Sequence, residues 1–202
     1  MEFFRRAPGR PFHLAVFPGT FNPITIAHLE LAHAALPIVD EVVFVLPRSL
    51  PHKEYVGASF EERIALLTSA LSTEQRFSLA AVNRGLFVEI ARDCRTAYNP
   101  GLRLSFLCGR DAAERIANWD YGRPGVFAET LQEFDLLVAA RNGEYLPPSE
   151  FQHKIRPLAL ASDFGEVSAT EVRDRIARCE PWEHLVPEPI RQDVAKIYRG
   201  GA

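Results

Sequence analysis

At 202 residues, 47% of them hydrophobic and 24% charged, the chain has the make-up of one soluble globular domain with a core of its own. A formal net charge of -3 and a pI of about 6.1 exclude the basic footprint that a general nucleic-acid or membrane-surface binder needs. Cys94, Cys108 and Cys179 are odd in number, widely spaced and without a C-x-x-C pair, so neither a disulfide framework nor a zinc site is expected and a reducing cytoplasm is the expected compartment.

The first stretch, MEFFRRAPGRP, lacks the apolar centre of a signal peptide, and no later run is long enough to cross a membrane. Residues 12–17, FHLAVF, read as a first buried strand, and residues 29–36 carry a helical pattern. Between them lies PGTFNPITIAH. Gly19 permits a sharp turn and close approach of the backbone to a ligand, Pro23 suits a helix entry, and unpaired N–H groups at a helix start favour an anion. Thr25 and His28, three residues apart, share one helix face. Residues 41–47, EVVFVLP, read as a strand buried on both faces. The loop after it holds His52 and Lys53, which in an open α/β sheet belong beside the first loop, where the carboxyl ends of strands meet the ligand crevice.

Ser59 and Glu62 make a capping box for a helix to about residue 71, with Ile64, Leu67 and Leu71 inward. A weaker strand is expected over 77–82, a helix over 86–98, a strand over 102–108, a turn at Gly109-Arg110-Asp111, a helix from about 112 to 118, and a strand over 134–140. This alternation predicts an α/β fold, a Rossmann-like doubly wound parallel sheet with a small C-terminal helical extension. No repeat, low-complexity tract or linker divides it, so residues 1–202 are expected to form a single domain. In VSATEVR, Ser168 is the expected N-cap and Glu171 its capping-box partner, with Arg173 one turn in; an amphipathic helix closes the chain to about residue 198. Most histidines in such a chain are satisfied structural residues, and His33, off the shared face, is read so. His28 stands apart because a glycine loop precedes it and a second phosphate-compatible helix start follows far downstream.

G-T-F-N-P-x-T-x-A-H resembles the (H/T)-x-G-H signature of the nucleotidylyltransferase superfamily, and V-S-A-T-E-V-R resembles its I-S-S-T-x-x-R signature. The resemblance implies that the Gly19, Thr20 and Phe21 backbone and His28 hold a nucleoside triphosphate, that Ser168, Thr170 and Arg173 grip its phosphates, and that His28, Thr25 and Arg173 carry catalysis. Two residues depart from the pattern: Asn22 stands where aspartate is frequent, and Ala27 where glycine is usual, with a methyl expected to crowd a base packed on the helix.

Over nearly the whole chain, V-L-P with P-H-K, Arg63, Gly109-x-Asp111 with Trp119, L-V-A-A-R and L-V-P-E-P resemble bacterial nicotinate mononucleotide adenylyltransferases. That likeness implies a nucleotide site including Gly109, with Asp111 at the ribose, and an acceptor site with Trp119 on the nicotinate ring and Lys53, beside His52, on phosphate. The family's S-Y-T-x-x-T stretch is replaced by GLFVEIA at 85–91, and Pro18-Gly19 with Thr25 resembles phosphopantetheine adenylyltransferase. The expected activity is transfer of AMP from ATP to nicotinate mononucleotide, releasing pyrophosphate, in NAD biosynthesis. Adenylyl or cytidylyl transfer to another phosphate monoester such as phosphopantetheine, or a non-catalytic nucleotide-binding regulator, are the alternatives. Mg2+ is expected with ATP and no metal site on the protein; the expected partners are small-molecule substrates, with no nucleic acid and no membrane. Oligomeric state is not legible.

Overall fold

A computed structural model describes residues 1–49, 57–117, 122–123, 125–139, 145–160, 164 and 167–199. Its sheet has seven strands among these residues: β1 (Glu2–Arg5), β2 (His13–Pro18), β3 (Glu41–Pro47), β4 (Phe77–Val82), β5 (Arg103–Gly109), β6 (Asp135–Ala139) and β7 (Ile155–Leu158). They lie in the order β1-β4-β3-β2-β5-β6-β7, all parallel except β1, which pairs antiparallel with β4. Every residue of β3 and β4 is buried, as their unbroken apolar runs require of strands covered on both faces.

The pleat sends alternate residues to two layers. Ala15 and Phe17 of β2 join the core under α1 (Ile26–Ala35), α2 (Phe60–Ala70), α6 (Ala169–Ala177) and α7 (Arg191–Arg199). Leu14 and Val16 join the core under α3 (Phe87–Ala97), α4 (Arg110–Ala117) and α5 (Val126–Glu133). The fold is therefore the expected doubly wound α/β sheet, ending in short C-terminal helices. The chain leaves β2 for β3 on one side and later returns to β5 on the other, so the strand order reverses between β2 and β5. Ligand crevices form at the carboxyl ends of strands beside such a reversal.

Three elements had no sequence reading. β1 and β7 are four-residue edge strands, and Pro157 removes a ladder donor from β7, so neither shows a clear period. Helix α5 starts at Gly125 with no side-chain cap. Two starts move: α1 begins at Ile26 and α4 at Arg110, each before the expected residue. Pro23 is not at the helix entry. It lies three residues before Ile26, after a cis Asn22–Pro23 bond.

Candidate nucleotide site

The turn after β2 is built differently from its sequence reading. The Gly19 N–H, expected to face a ligand, donates to the Val45 carbonyl at 3.1 Å and ties the turn to β3. Positive φ falls on Phe21 (44°), not on Gly19. Gly19 is needed for a different reason: a Cβ there would stand 2.8 Å from Phe21 Cζ. The Phe21 ring is buried, meeting Phe17 edge-on at 5.3 Å and Phe44 at 5.5 Å, so it anchors the turn in the core.

Around that anchor the turn is gripped by three distant elements. Arg63, 2% exposed, donates from Nη1 to the Thr20 carbonyl at 3.0 Å and from Nε to the Ser59 carbonyl at 3.3 Å. Arg173 Nη1 donates to the Asn22 carbonyl at 2.6 Å. The Asn22 side-chain oxygen accepts from the Ala58 N–H at 3.3 Å and from the Tyr198 hydroxyl. Burial raises the Tyr198 pKa against the opposing pull of Arg173 and Arg63, which keeps the phenol a donor. Gly57, at φ +111°, lies where a Cβ would crowd the Asn22 amide at 3.1 Å and Tyr198 at 3.2 Å.

Thr25 is the N-cap of α1 and has no exposed surface. Its backbone N–H donates to His28 Nδ1 at 3.0 Å, and its hydroxyl lies 2.7 Å from the same nitrogen. An Nδ1 that accepts an amide hydrogen bears no proton, so the neutral ring carries its proton on Nε2, a donor. The imidazole is half-buried against Phe21 (5.2 Å) and Phe17 (5.9 Å). Thr25 thus reaches a ligand only through His28. Ala27 also has no exposed surface, so its methyl packs within the protein and is not offered to a base, contrary to the expectation of crowding.

In the second motif, Ser168 caps α6 as expected, its hydroxyl accepting from the Glu171 N–H at 3.0 Å. The capping box does not close, because the Glu171 carboxylate takes Arg175 Nε at 2.6 Å instead. Arg173 also bonds the Ala169 carbonyl (3.1 Å) and the exposed Thr170 hydroxyl (3.2 Å). Through Arg173, residues 151 apart in sequence meet at one end of the sheet.

Gly109 ends β5, the neighbour of β2, with nothing within 4 Å of an added Cβ, and Asp111 is exposed in the first turn of α4. Both stand at the crevice side of the strand-order reversal. His52, Lys53 and Trp119 lie outside the described residues. Asn22 as the junction, and Tyr198, were missed; Arg63 entered the sequence reading only through the resemblance. Arg63 did leave one signal, a charge on the same helical stripe as buried Leu67 and Ala70. Tyr198 left none.

The family model described as cytidylyltransferase-like matches residues 16–175. A probable nicotinate-nucleotide adenylyltransferase of Chromohalobacter salexigens is 31% identical over 226 residues, covering 93% of this chain and 95% of the relative. The chain belongs to the cytidylyltransferase-like family. It is a nucleotidyltransferase, and relatives named probable nicotinate-nucleotide adenylyltransferase match it nearly end to end. That of Exiguobacterium sibiricum, for instance, is 29% identical over 187 residues, with 89% of this chain and 94% of the relative covered. Among solved structures, Plasmodium falciparum nicotinic acid mononucleotide adenylyltransferase complexed with NaAD shares the fold, with a TM-score of 0.68 at 15% identity over 92% of this chain and 97% of the other.

The family's thiols play no visible part here. Burial pushes the Cys94 and Cys108 thiols up to about 12, which leaves them protonated and unreactive.

Proposed function

We propose that this enzyme transfers AMP from ATP to nicotinate mononucleotide, releasing pyrophosphate, in NAD biosynthesis. Near-full-length relatives carrying that name support the reading. The observation that carries it is the Arg173–Asn22 contact, which joins the two phosphate-compatible motifs at the crevice.

The acceptor's phosphate is already ionised, so its oxygen attacks the α-phosphorus of ATP in line with no general base. One P–O bond forms as the bond to the β-phosphate oxygen breaks and pyrophosphate leaves. The protein's contribution is position and charge. His28 donates its Nε2 proton as a hydrogen bond to the α-phosphate where negative charge builds, and Thr25 fixes the ring in that tautomer. The Thr20–Phe21 turn lies against the phosphates; the Gly19 amide, already engaged by Val45, is not one of its donors. Arg173, Ser168 and Thr170 at the start of α6 hold the departing pyrophosphate. Gly109 leaves room for the nucleotide and Asp111 binds its ribose, while His52, Lys53 and Trp119 hold the acceptor.

Magnesium enters on the triphosphate as part of the substrate, since the described residues bring no three His, Cys, Asp or Glu side chains together. The chain works as one domain in the cytoplasm on small molecules, without nucleic-acid or membrane partners; no described helix is long and apolar enough to cross a membrane.

A second acceptor, phosphopantetheine, is favoured by one observation. Helix α3 begins after Leu86 with no side-chain cap, so its start lacks the hydroxyls of the S-Y-T-x-x-T stretch. The test is pyrophosphate release from MgATP with nicotinate mononucleotide, nicotinamide mononucleotide and phosphopantetheine offered separately. Release with the first alone is the expected result. Release with phosphopantetheine alone reassigns the acceptor, and ATP binding without release under any of the three overturns the enzymatic reading in favour of a nucleotide-binding regulator.

A further inference from the structure

We infer that Arg63, a buried residue of α2, is a positioning residue that makes the Phe21 backbone N–H the phosphate donor of the first turn. The inference rests on the nucleotide-transfer reading above and adds a residue and an atom to it.

The argument follows the peptide groups of the turn one by one. The Gly19 N–H is used by Val45. The peptide after Asn22 leads into Pro23 and has no N–H. The peptide joining Thr20 to Phe21 is trans, so its C=O and N–H point in opposite directions. Arg63 holds that C=O at 3.0 Å from the α2 side, which turns the Phe21 N–H away from α2. Among the described residues no carbonyl or side chain accepts from the Phe21 N–H.

The grip is stiff as well as directional. The guanidinium also bonds the Ser59 carbonyl at the start of α2, so one planar group bridges a helix cap and the turn. The Phe21 ring below is held by Phe17 and Phe44, which prevents the peptide from swinging back. A cation on the carbonyl polarises the peptide and strengthens its N–H as a donor. Arg173 holds the next carbonyl but one, that of Asn22, in the same manner. Arg63, 2% exposed, acts on the phosphate only through the peptide it orients.

The sequence offers a clean probe. Thr-Phe occurs once in the chain, at 20–21, so labelling threonine with carbonyl 13C and phenylalanine with 15N isolates that peptide as one NMR correlation. MgATP added to the wild-type protein is expected to shift the Phe21 N–H, and adenosine is expected to leave it in place. In Arg63→Lys and Arg63→Met the Thr20 carbonyl resonance moves before any ligand is added, and affinity for MgATP falls about ten-fold or more while affinity for adenosine holds.

A Phe21 N–H that MgATP leaves unmoved in a protein that still releases pyrophosphate overturns the inference and spares the proposed function. The reverse result, a shifted Phe21 N–H in a protein that turns over none of the three acceptors, sustains the inference and overturns the enzymatic reading. Equal losses for ATP and adenosine in both variants show that Arg63 only holds the fold, and also overturn the inference. Should neither variant fold, the wild-type titration decides alone.

Discussion

The two ends of the sheet each hold a histidine beside β2, and the two are wired in opposite senses. At the amino end, His13 Nδ1 faces the Ile38 carbonyl at 3.1 Å and therefore donates, while Nε2 lies 2.8 Å from the Ser105 hydroxyl and accepts. Its neighbours are closed in the same way: the Glu41 carboxylate accepts from Ser78 at 2.6 Å and from Tyr98, and Ser78 accepts from the Ala7 N–H at 2.8 Å. At the carboxyl end, His28 Nδ1 accepts from Thr25 and the proton goes to Nε2. A histidine with both nitrogens committed to the interior braces the sheet. One whose Nδ1 is fixed by its own helix cap is set to donate to a ligand.

The most direct way to break this comparison is to exchange the fates of the two rings. His28→Ala is expected to lower kcat about 10²–10³-fold with the fold intact, the size of losing one transition-state donor. His13→Gln is expected to leave kcat within about two-fold, because its hydrogen bonds support packing alone. Pyrophosphate release measured on both variants checks the pair, and equal losses would dissolve the distinction.

Arg173→Ala is expected to cost about 10–100-fold in kcat/KM for MgATP, since it removes a charged donor that also holds the Asn22 carbonyl. A loss confined to thermal stability would mark Arg173 as a brace. Thr25→Val keeps the backbone bond to His28 Nδ1 and removes only the hydroxyl, so kcat is expected to fall about ten-fold or less at unchanged KM. A rise in KM would instead mean that Thr25 meets the nucleotide.

The amino end is sharpened by pH. Burial raises the Glu41 pKa above its ordinary 4.5, despite the hydrogen bonds from Ser78 and Tyr98 that lower it. The folded state then holds more protons than the unfolded one above pH 4.5, and stability declines as pH rises through the folded pKa. Burial and Arg103 lower the His13 pKa below 6.5, so its contribution is full above pH 6.5 and is lost as pH falls through the folded value. The two slopes oppose each other. Glu41→Gln, whose amide oxygen still accepts from both hydroxyls, is expected to remove the decline above pH 4.5 and to leave the acid loss of His13 exposed. Urea unfolding across pH 4 to 8 measures it, and an unchanged profile would mean that Glu41 is ionised at no cost.

Legibility in the sequence followed burial and locality. β3 and β4 run over the residues expected of them, because apolar runs covered on both faces need no partner information to be recognised. The Ser59–Glu62 capping box forms in full, whereas its counterpart at Ser168 forms by half, since Arg175 one turn on claims the Glu171 carboxylate. β1 and β7 were illegible because a four-residue edge strand is defined by the neighbour it pairs with.

By itself the sequence determined the α/β alternation, the glycine turn, the caps at Thr25 and Ser168, and the family likeness of two motifs. All of these arise from residues within one turn or strand of each other, where backbone geometry alone dictates the outcome. Tertiary structure decided that Gly19 makes room for the Phe21 ring, that Arg63 grips Thr20, and that Arg173 and Tyr198 converge on Asn22. Those contacts span 43, 151 and 176 residues, and only the path of the chain through the sheet, β2 flanked by β3 and β5, brings their partners to one place.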